Sequence, residues 1–295
     1  MKVLITGASG FIGNAMLSHF KGLGEVTGLD LNPDPAKNIL AHDDFEATRA
    51  LIAQSAFDLL INCAGASDVQ HSYRAPAGDF KLNTIYVEQI LEALREFSPA
   101  TKFVNFSSAA VYGNPKTLPV TENDPCQPLS PYGLHKLLSE QLTKSYHTFY
   151  QVPTLSVRIF SAYGPGLKRQ FFYDLYSKFK AGNESVSLAG TGKESRDFIF
   201  IDDIVKAVVL LTERGRFDGG VYNLANAEET FIDDASLLFA KICGYKGKIQ
   251  FSQRQFAGYP LNWKADTGKL TSLGFFPKTR MSDGLSLYHN WIKDL

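Results

Sequence analysis

The 295-residue sequence predicts an α/β fold, a doubly wound parallel sheet carrying a smaller cap, on three observations. Short β-rich runs alternate with helix-length periodic segments from the first residues onward. A glycine-rich turn joins the first run to the first helix. After residue 160 the alternation loosens into loops and short segments. Parallel strands need a crossover, usually a helix, so this rhythm implies helices on both faces of one sheet. Right-handed crossovers place the C-terminal ends of the strands on one edge, where ligands bind.

Residues 3–6, 26–30, 59–64, 103–107, 155–160 and 221–224 read as buried strands. Helical spacing marks 12–21, 46–54, 80–97, 133–150 and 203–212; Leu82, Ile85, Ile90, Leu91 and Leu94 recur close to a 3.6-residue period. Tyr163-Gly164-Pro165-Gly166 and Ala189-Gly190-Thr191-Gly192 are loop signals. The remainder holds one helix near 233–242, loops rich in Gly and Pro, and a terminal helix near 283–293. The expected main domain is 1–160 plus about 197–226, and the cap is about 161–196 plus 227–295.

Formal net charge is +0, which argues against an electrostatic clamp for nucleic acid or an anionic membrane surface. Cys63, Cys126 and Cys243 are odd in number and scattered, unlike a disulfide scaffold or a zinc site, and point to a reducing compartment. A strand-like run begins at residue 3, leaving no room for a signal peptide, and no apolar stretch approaches the roughly 20 residues of a membrane span. A cytoplasmic location, without membrane attachment, is the expectation.

The first strand runs straight into Gly7-Ala8-Ser9-Gly10-Phe11-Ile12-Gly13, and a helix begins there. Glycines let the backbone turn sharply and approach a diphosphate, whose charge the amides of a helix N-terminus stabilise. The position, at the first strand–helix junction of a parallel sheet, is the one a dinucleotide requires. The second strand ends at Asp30, whose carboxylate can accept hydrogen bonds from ribose hydroxyls and would repel a 2′-phosphate. NAD is therefore expected over NADP, although Lys37 is not far away. Asp44, followed by Phe45, is placed to reach the adenine amine or, alternatively, to cap a helix.

Tyr132 and Lys136 lie four apart on a helix that begins after Pro131, so they share a face. A phenol titrates near pH 10 in water and is a poor base at neutral pH. A nearby ammonium and a nicotinamide cation both favour the phenolate. Ser108, at the end of a strand, can hydrogen-bond the same substrate oxygen. Tyr176 and Lys180 repeat the spacing but follow no strand-end serine, and read as an ordinary amphipathic helix. His135 points from another face of the Tyr132 helix and reads as structural.

Together these segments resemble the NAD-dependent epimerase/dehydratase family, the extended short-chain dehydrogenase/reductases that act mainly on nucleotide sugars. The matching stretches are TGASGFIG at 6–13, NCAGAS at 62–67, Asn83, SSAAVYG at 107–113 and SPYGLHK at 130–136. RIFSAYGPG at 158–166, GTGKESRDFIFIDD at 190–203 and YNLAN at 222–226 complete the series. The resemblance implies a Rossmann-like sheet and a catalytic set of Ser108, Tyr132 and Lys136. It adds Ala64, Gly65, Asn83 and Phe160 to the NAD site, and Ser67, Ser161, Arg196 and Arg254 to a site for a nucleotide-diphosphate sugar. Arg196 would bind the diphosphate; Arg254 lies in a segment that matches less well. Ser161 replaces the asparagine usual in its motif. Family members also dimerise through their fourth and fifth helices, so a homodimer is expected.

Ala109-Ala110 stands where family dehydratases carry an Asp–Glu pair, so elimination of water lacks its acid and base. The Cys and His of fucose-synthase-like members are missing too. Two reactions remain open. A 4-epimerase, the leading expectation, fits SSAAVYG and a permanently held NAD; a 4-ketoreductase of a deoxyhexose fits the short cap and Ser161. A non-catalytic dinucleotide-binding regulator is the third possibility, disfavoured because both Tyr132 and Lys136 are present.

Overall fold

The computed structural model describes residues 1–41, 45–182, 184–254 and 258–295. The first half alternates as expected: β1 (Lys2–Thr6), α1 (Phe11–Phe20), β2 (Glu25–Asp30), β3 (Ile39–Ala41), α2 (Phe45–Gln54) and β4 (Leu59–Asn62). Two short helices come next, α3 (Val69–Arg74) and α4 (Pro76–Phe80), then α5 (Tyr86–Phe97), β5 (Lys102–Ser108), α6 (Pro131–Tyr150) and β6 (Thr154–Ile159). The second half continues with β7 (Ser161–Tyr163), α7 (Gln170–Lys180), β8 (Ser185–Leu188), β9 (Ser195–Arg196), β10 (Phe198–Phe200) and α8 (Ile201–Arg214). It ends with β11 (Asp218–Leu224), β12 (Thr230–Phe231), α9 (Ile232–Cys243), β13 (Lys248–Phe251), α10 (Gly268–Ser272) and α11 (Met281–Ile292).

Seven strands form the central sheet in the order β11-β6-β5-β4-β1-β2-β3, every neighbouring pair parallel. Strand alternation divides its faces. Val3 and Ile5 join Met16, Leu17 and Phe20 of α1 in one buried cluster, while Leu4 joins Ile90, Leu91 and Leu94 of α5 in another. The first cluster extends into the cap through Phe172, Phe239 and Tyr288, so the sheet and cap are packed as one core. The cap's own strands form only two-stranded pairs: β10 with β7, β12 with β9, and β13 with β8.

The segment expected as one helix over 80–97 is instead α4, a π-helical turn at Lys81–Ile85, and α5. A π turn takes in an extra residue and rotates the later turns relative to an unbroken helix. Leu82 and Ile85 are consequently exposed, whereas Asn83 and Thr84 face inward beside the buried Ile90, Leu91 and Leu94. The apolar stripe read from the sequence thus belongs to two surfaces.

α6 carries the chemistry and is held at both ends. Ser130 Oγ accepts the Gly133 amide at 3.1 Å, Pro131 occupies the first turn, and Gln151 closes the helix with φ +60°. One turn beyond Lys136, Glu140 receives the Arg158 guanidinium of β6 at 2.9 and 2.7 Å and the Ser107 hydroxyl of β5 at 2.5 Å. Arg158 also donates to Tyr112 Oη at 2.8 Å. A bidentate pair this deeply buried fixes the helix over the sheet, because removing either partner strands the other's charge.

Candidate active site

From β1 the strand order runs to β2 and β3 on one side and to β4, β5 and β6 on the other, creating a crevice at the C-terminal edge. The glycine loop sits there, bracketed by its neighbours: Cys63 N donates to Thr6 O at 3.0 Å, and Ala8 N to Leu29 O at 3.2 Å. α1 starts at Phe11 with Gly10 at its N-cap and no side-chain cap, so its opening amides face the crevice without a competing carboxylate or hydroxyl. Ile12 and Gly13 continue its first turn. Asp30 closes the other wall. Its carboxylate accepts Ser9 N at 3.0 Å and Asn32 N at 2.9 Å, and Ser9 Oγ donates to Asn32 O at 2.6 Å. Lys37 is drawn to Asp34 at 3.4 Å, so the nearest basic side chain in sequence is paired elsewhere. Phe45 opens α2, half-buried against the second core cluster. Asp44 lies outside the described residues.

β5 and α6 bring the second constellation to the same edge. Ser108 ends β5, and its hydroxyl accepts Ala110 N at 3.2 Å. Tyr132 is buried, its amide donating to Ser72 Oγ of α3 at 3.2 Å. Burial pushes its phenol above the ordinary value; the Asp79 charge adds to this, while Ser108 and Arg169 act the other way. Removing a phenolate from water costs more than Ser108 and Arg169 return. Lys136 Nζ donates to Phe106 O at 2.9 Å, and its own burial brings the ammonium down to about 8.

Asn83 and the β4 exit complete the floor. A Cβ at Gly65 would stand 2.5 Å from Asn83 Oδ1 and 3.1 Å from Lys136 Nζ, so the chain passes there only as glycine, at φ +147°. Ala64 beside it packs on the second core cluster. Both amide atoms of Asn83 and the Ser67 hydroxyl are buried with no hydrogen-bond partner among the described residues. Such groups cost about 1–3 kcal/mol each when left unmet, which marks the crevice as a place where a polar ligand belongs. The uncapped helix start, Asp30 and these unmet groups fit a dinucleotide with free ribose hydroxyls.

The remaining candidates spread onto the cap. Phe160 is buried between Tyr112 and Trp263, at centroid distances of 6.3 and 5.9 Å, and Ser161 opens β7 with its amide on Asp197 O at 2.9 Å. Arg196, in β9, lies over the Trp263 ring at 5.3 Å and donates to Ser195 O and Leu261 O. Loss of solvent lowers its guanidinium to about 10, which makes an anionic partner favourable. Arg254 is exposed beyond β13, its carbonyl accepting Gly190 N at 2.7 Å; among the described residues no hydrogen bond or ion pair holds its guanidinium. Tyr176 of α7 packs on His289 at 5.9 Å, in keeping with an ordinary helix face. His135 does leave α6 on a face of its own, but it meets a buried carboxylate, Asp79, that no sequence pattern picks out.

The sequence profile of the NAD dependent epimerase/dehydratase family matches residues 3–225. The chain belongs to this family. Membership makes it an NAD-dependent enzyme of the extended short-chain dehydrogenase/reductase class, on a Rossmann-like sheet. Among similar family proteins is an uncharacterized UDP-glucose epimerase, YtcB, of Bacillus subtilis, 31% identical over 97% of this chain and 96% of that protein. A UDP-glucuronic acid 4-epimerase of Bacillus cereus, solved with UDP-glucuronic acid and NAD, superposes with a TM-score of 0.88 at 28% identity, covering 100% of this chain and 99% of that one. A UDP-glucose 4-epimerase of Thermotoga maritima, solved with UDP-glucose, reaches a TM-score of 0.92 at 25% identity with the same coverage. Among the described residues of this chain, no helix is long and apolar enough to cross a membrane.

Proposed function

We propose that this protein is a 4-epimerase of a UDP-sugar, working through a 4-keto sugar, with Ser108, Tyr132 and Lys136 as its catalytic set. The observation that carries the reading is the placement of Ser108 at the end of β5 with Tyr132 and Lys136 one turn apart at the start of α6, on the same sheet edge as the glycine loop. NAD, when bound, supplies the acceptor and donor of hydride. The glycine-loop amides and Asp30 would hold its diphosphate and adenosine ribose, with Asn83 and Gly65 nearer Lys136. Tyr132 takes the C4-hydroxyl proton and later returns it; Ser108 orients that oxygen, and the Lys136 ammonium steadies the phenolate. Ala109 and Ala110 offer no second acid–base pair, so the sugar keeps its hydroxyls. Arg196 would clamp the sugar's diphosphate, with Arg254 as a second cation and Ser67 and Ser161 as further polar contacts.

Ser161 favours one other reading, a 4-ketoreductase, since it changes the contact expected beside the sugar. One experiment separates them. The purified protein is denatured and assayed for released NAD(H), and native protein is incubated with UDP-sugars without added cofactor. Retained NAD and interconversion of C4 epimers support the epimerase. No interconversion, with NAD(P)H consumed by a 4-keto sugar nucleotide, establishes the reductase instead.

The Lys136 value sets a pH dependence. Its ammonium is present below about pH 8 and lost above it, so turnover is expected to fall as pH rises through that point. A rate that stays flat to about pH 10 would show that Lys136 carries no essential proton.

We also propose a homodimer through α5 and α6. Leu82, Ile85, Phe97, Phe149 and Tyr150 are all exposed on these helices or the π turn before them, with Phe149 at 73%. Light scattering is expected to give twice the 32.6 kDa chain mass, and Phe149→Arg to shift it toward the single chain. A single-chain mass for the native protein excludes the dimer.

A further inference from the structure

Arg196, read above as the clamp for the sugar's diphosphate, has a guanidinium that is fixed along one edge only. Its Nη1 donates to Ser195 O at 2.7 Å and to Leu261 O at 3.2 Å, and the group stands over the Trp263 ring, 5.3 Å from the centroid. Among the described residues, Nε and Nη2 make no hydrogen bond and no carboxylate forms an ion pair with the group. The acids closest to it in the chain and along its neighbours are engaged. Glu194 accepts the Thr191 and Gly192 amides at 3.0 Å, Asp197 accepts Asn226 N and Ala265 N at 2.8 and 3.1 Å, and Glu229 accepts the Ser195 hydroxyl at 2.6 Å. The open Nε–Nη2 edge is one that a phosphate meets with two parallel hydrogen bonds.

Trp263 is itself pinned. Its indole Nε1 donates to Gly113 O at 3.1 Å, and its amide donates at 3.3 Å to Ser195 O, the same carbonyl that receives Arg196. The residues after it are tied down as well: Val120 N donates to Lys264 O at 2.8 Å, and Ala265 N to Asp197 Oδ2 at 3.1 Å. Phe160 packs against the indole at 5.9 Å with the ring planes 71° apart, and Trp263 is only 8% exposed. A ring with its N–H bonded and its neighbours packed cannot turn away from the guanidinium. An unrestrained arginine samples many rotamers, and fixing it on a ligand weakens binding by that lost entropy. Holding it beforehand removes the loss.

We propose that Trp263 is a positioning residue for substrate binding: its indole face, with the Ser195 and Leu261 carbonyls, holds the Arg196 guanidinium so that the Nε–Nη2 edge is presented to the diphosphate. Tryptophan is the strongest aromatic partner for a cation, and the attraction grows where water is excluded. A lysine at position 196 would lose the fork and most of the stacking. The same indole touches Phe160, so one rigid ring separates the residue read beside the nicotinamide from the residue read on the diphosphate. The proposal rests on the reading of Arg196 as the diphosphate clamp of a UDP-sugar enzyme.

The test measures UDP binding to the NAD-loaded holoenzyme by calorimetry. Trp263→Leu is expected to weaken UDP about tenfold and to raise KM for the UDP-sugar in step, with kcat within about twofold and NAD content unchanged. Trp263→Phe keeps an aromatic face and is expected to stay within about threefold of native. In an Arg196→Gln background the further loss from Trp263→Leu is expected to fall below about twofold, because no guanidinium remains to be held. Should Trp263→Leu fail to fold, fluorescence decides. The chain has two tryptophans, Trp263 and Trp291, so in Trp291→Phe all indole emission comes from Trp263. Saturating UDP is expected to shift that emission, and Arg196→Gln to abolish the shift. Native UDP affinity in Trp263→Leu, equal losses in the Leu and Phe variants, a full loss in the Arg196→Gln background, or an emission shift that is absent or survives Arg196→Gln would each overturn the proposal. Native protein that binds UDP but interconverts no C4 epimers counts against the epimerase reading alone, because UDP binding still decides the role of Trp263. Native protein with no affinity for UDP overturns both.

Discussion

Tyr132→Phe is expected to lower turnover by roughly a thousandfold while leaving the fold and the bound dinucleotide in place. The substitution removes one oxygen from a buried ring and nothing else. General acid–base catalysis by a positioned side chain contributes about 10²–10⁴-fold, and Tyr132 is the group assigned that role at this edge. Lys136 does not replace it, since its ammonium is held on Phe106 O and a lysine one turn away reaches a different point. Stability should change little: a typical net hydrogen bond is worth about 1 kcal/mol, and removing a buried hydroxyl offsets part of any such loss. The measurements are C4 interconversion of the UDP-sugar, NAD released on denaturation, and Tm. Residual activity within about tenfold of native would remove Tyr132 from the chemistry; loss of NAD would mean that the ring serves the cofactor site instead.

Much of this site is legible in the sequence because its signals are local. The glycine loop, Asp30 and the Tyr132–Lys136 pair each sit within a few residues of a strand end or helix start, where backbone direction follows from the element itself. The even alternation of β1 assigns Val3 and Ile5 to one face of the sheet and Leu4 to the other, as the two core clusters bear out. The features that stay hidden are set by contacts between distant segments. Asp79 and His135 are 56 residues apart, and His135 alone reads only as a structural histidine. The π turn is invisible to a period search, since Leu82 and Ile85 satisfy a 3.6-residue repeat that the backbone does not keep. Cap strands of two to four residues carry too few side chains for alternation to be read. The electrostatics of Tyr132 went the other way from a count of neighbouring charges, because burial was the larger effect and burial is a property of the packed chain.

Gly13→Ala tests the glycine loop most severely. A Cβ at this position would stand 2.0 Å from Gly7 O and 3.0 Å from Ala8 Cα, both backbone atoms that no rotamer change can move. Either the loop opens or α1 tilts away, and the tilt is resisted by Met16, Leu17 and Phe20, each at most 1% exposed. Overpacking of this kind costs about 1–3 kcal/mol, and here the yielding part is the cradle for the dinucleotide diphosphate. The expected result is a lower Tm together with NAD content reduced at least about tenfold, since either movement takes the opening amides of α1 off target. Gly10→Ala provides the contrast. Its Cβ meets only Gly7 O, at 3.1 Å, so the chain should fold with a nearly native Tm, and any loss of NAD would come from the methyl facing the ligand. Calorimetry and quantitation of released NAD on the two variants separate the effects. Full NAD content at native Tm in Gly13→Ala would mean that the close approach of α1 to Gly7 is not what shapes the site.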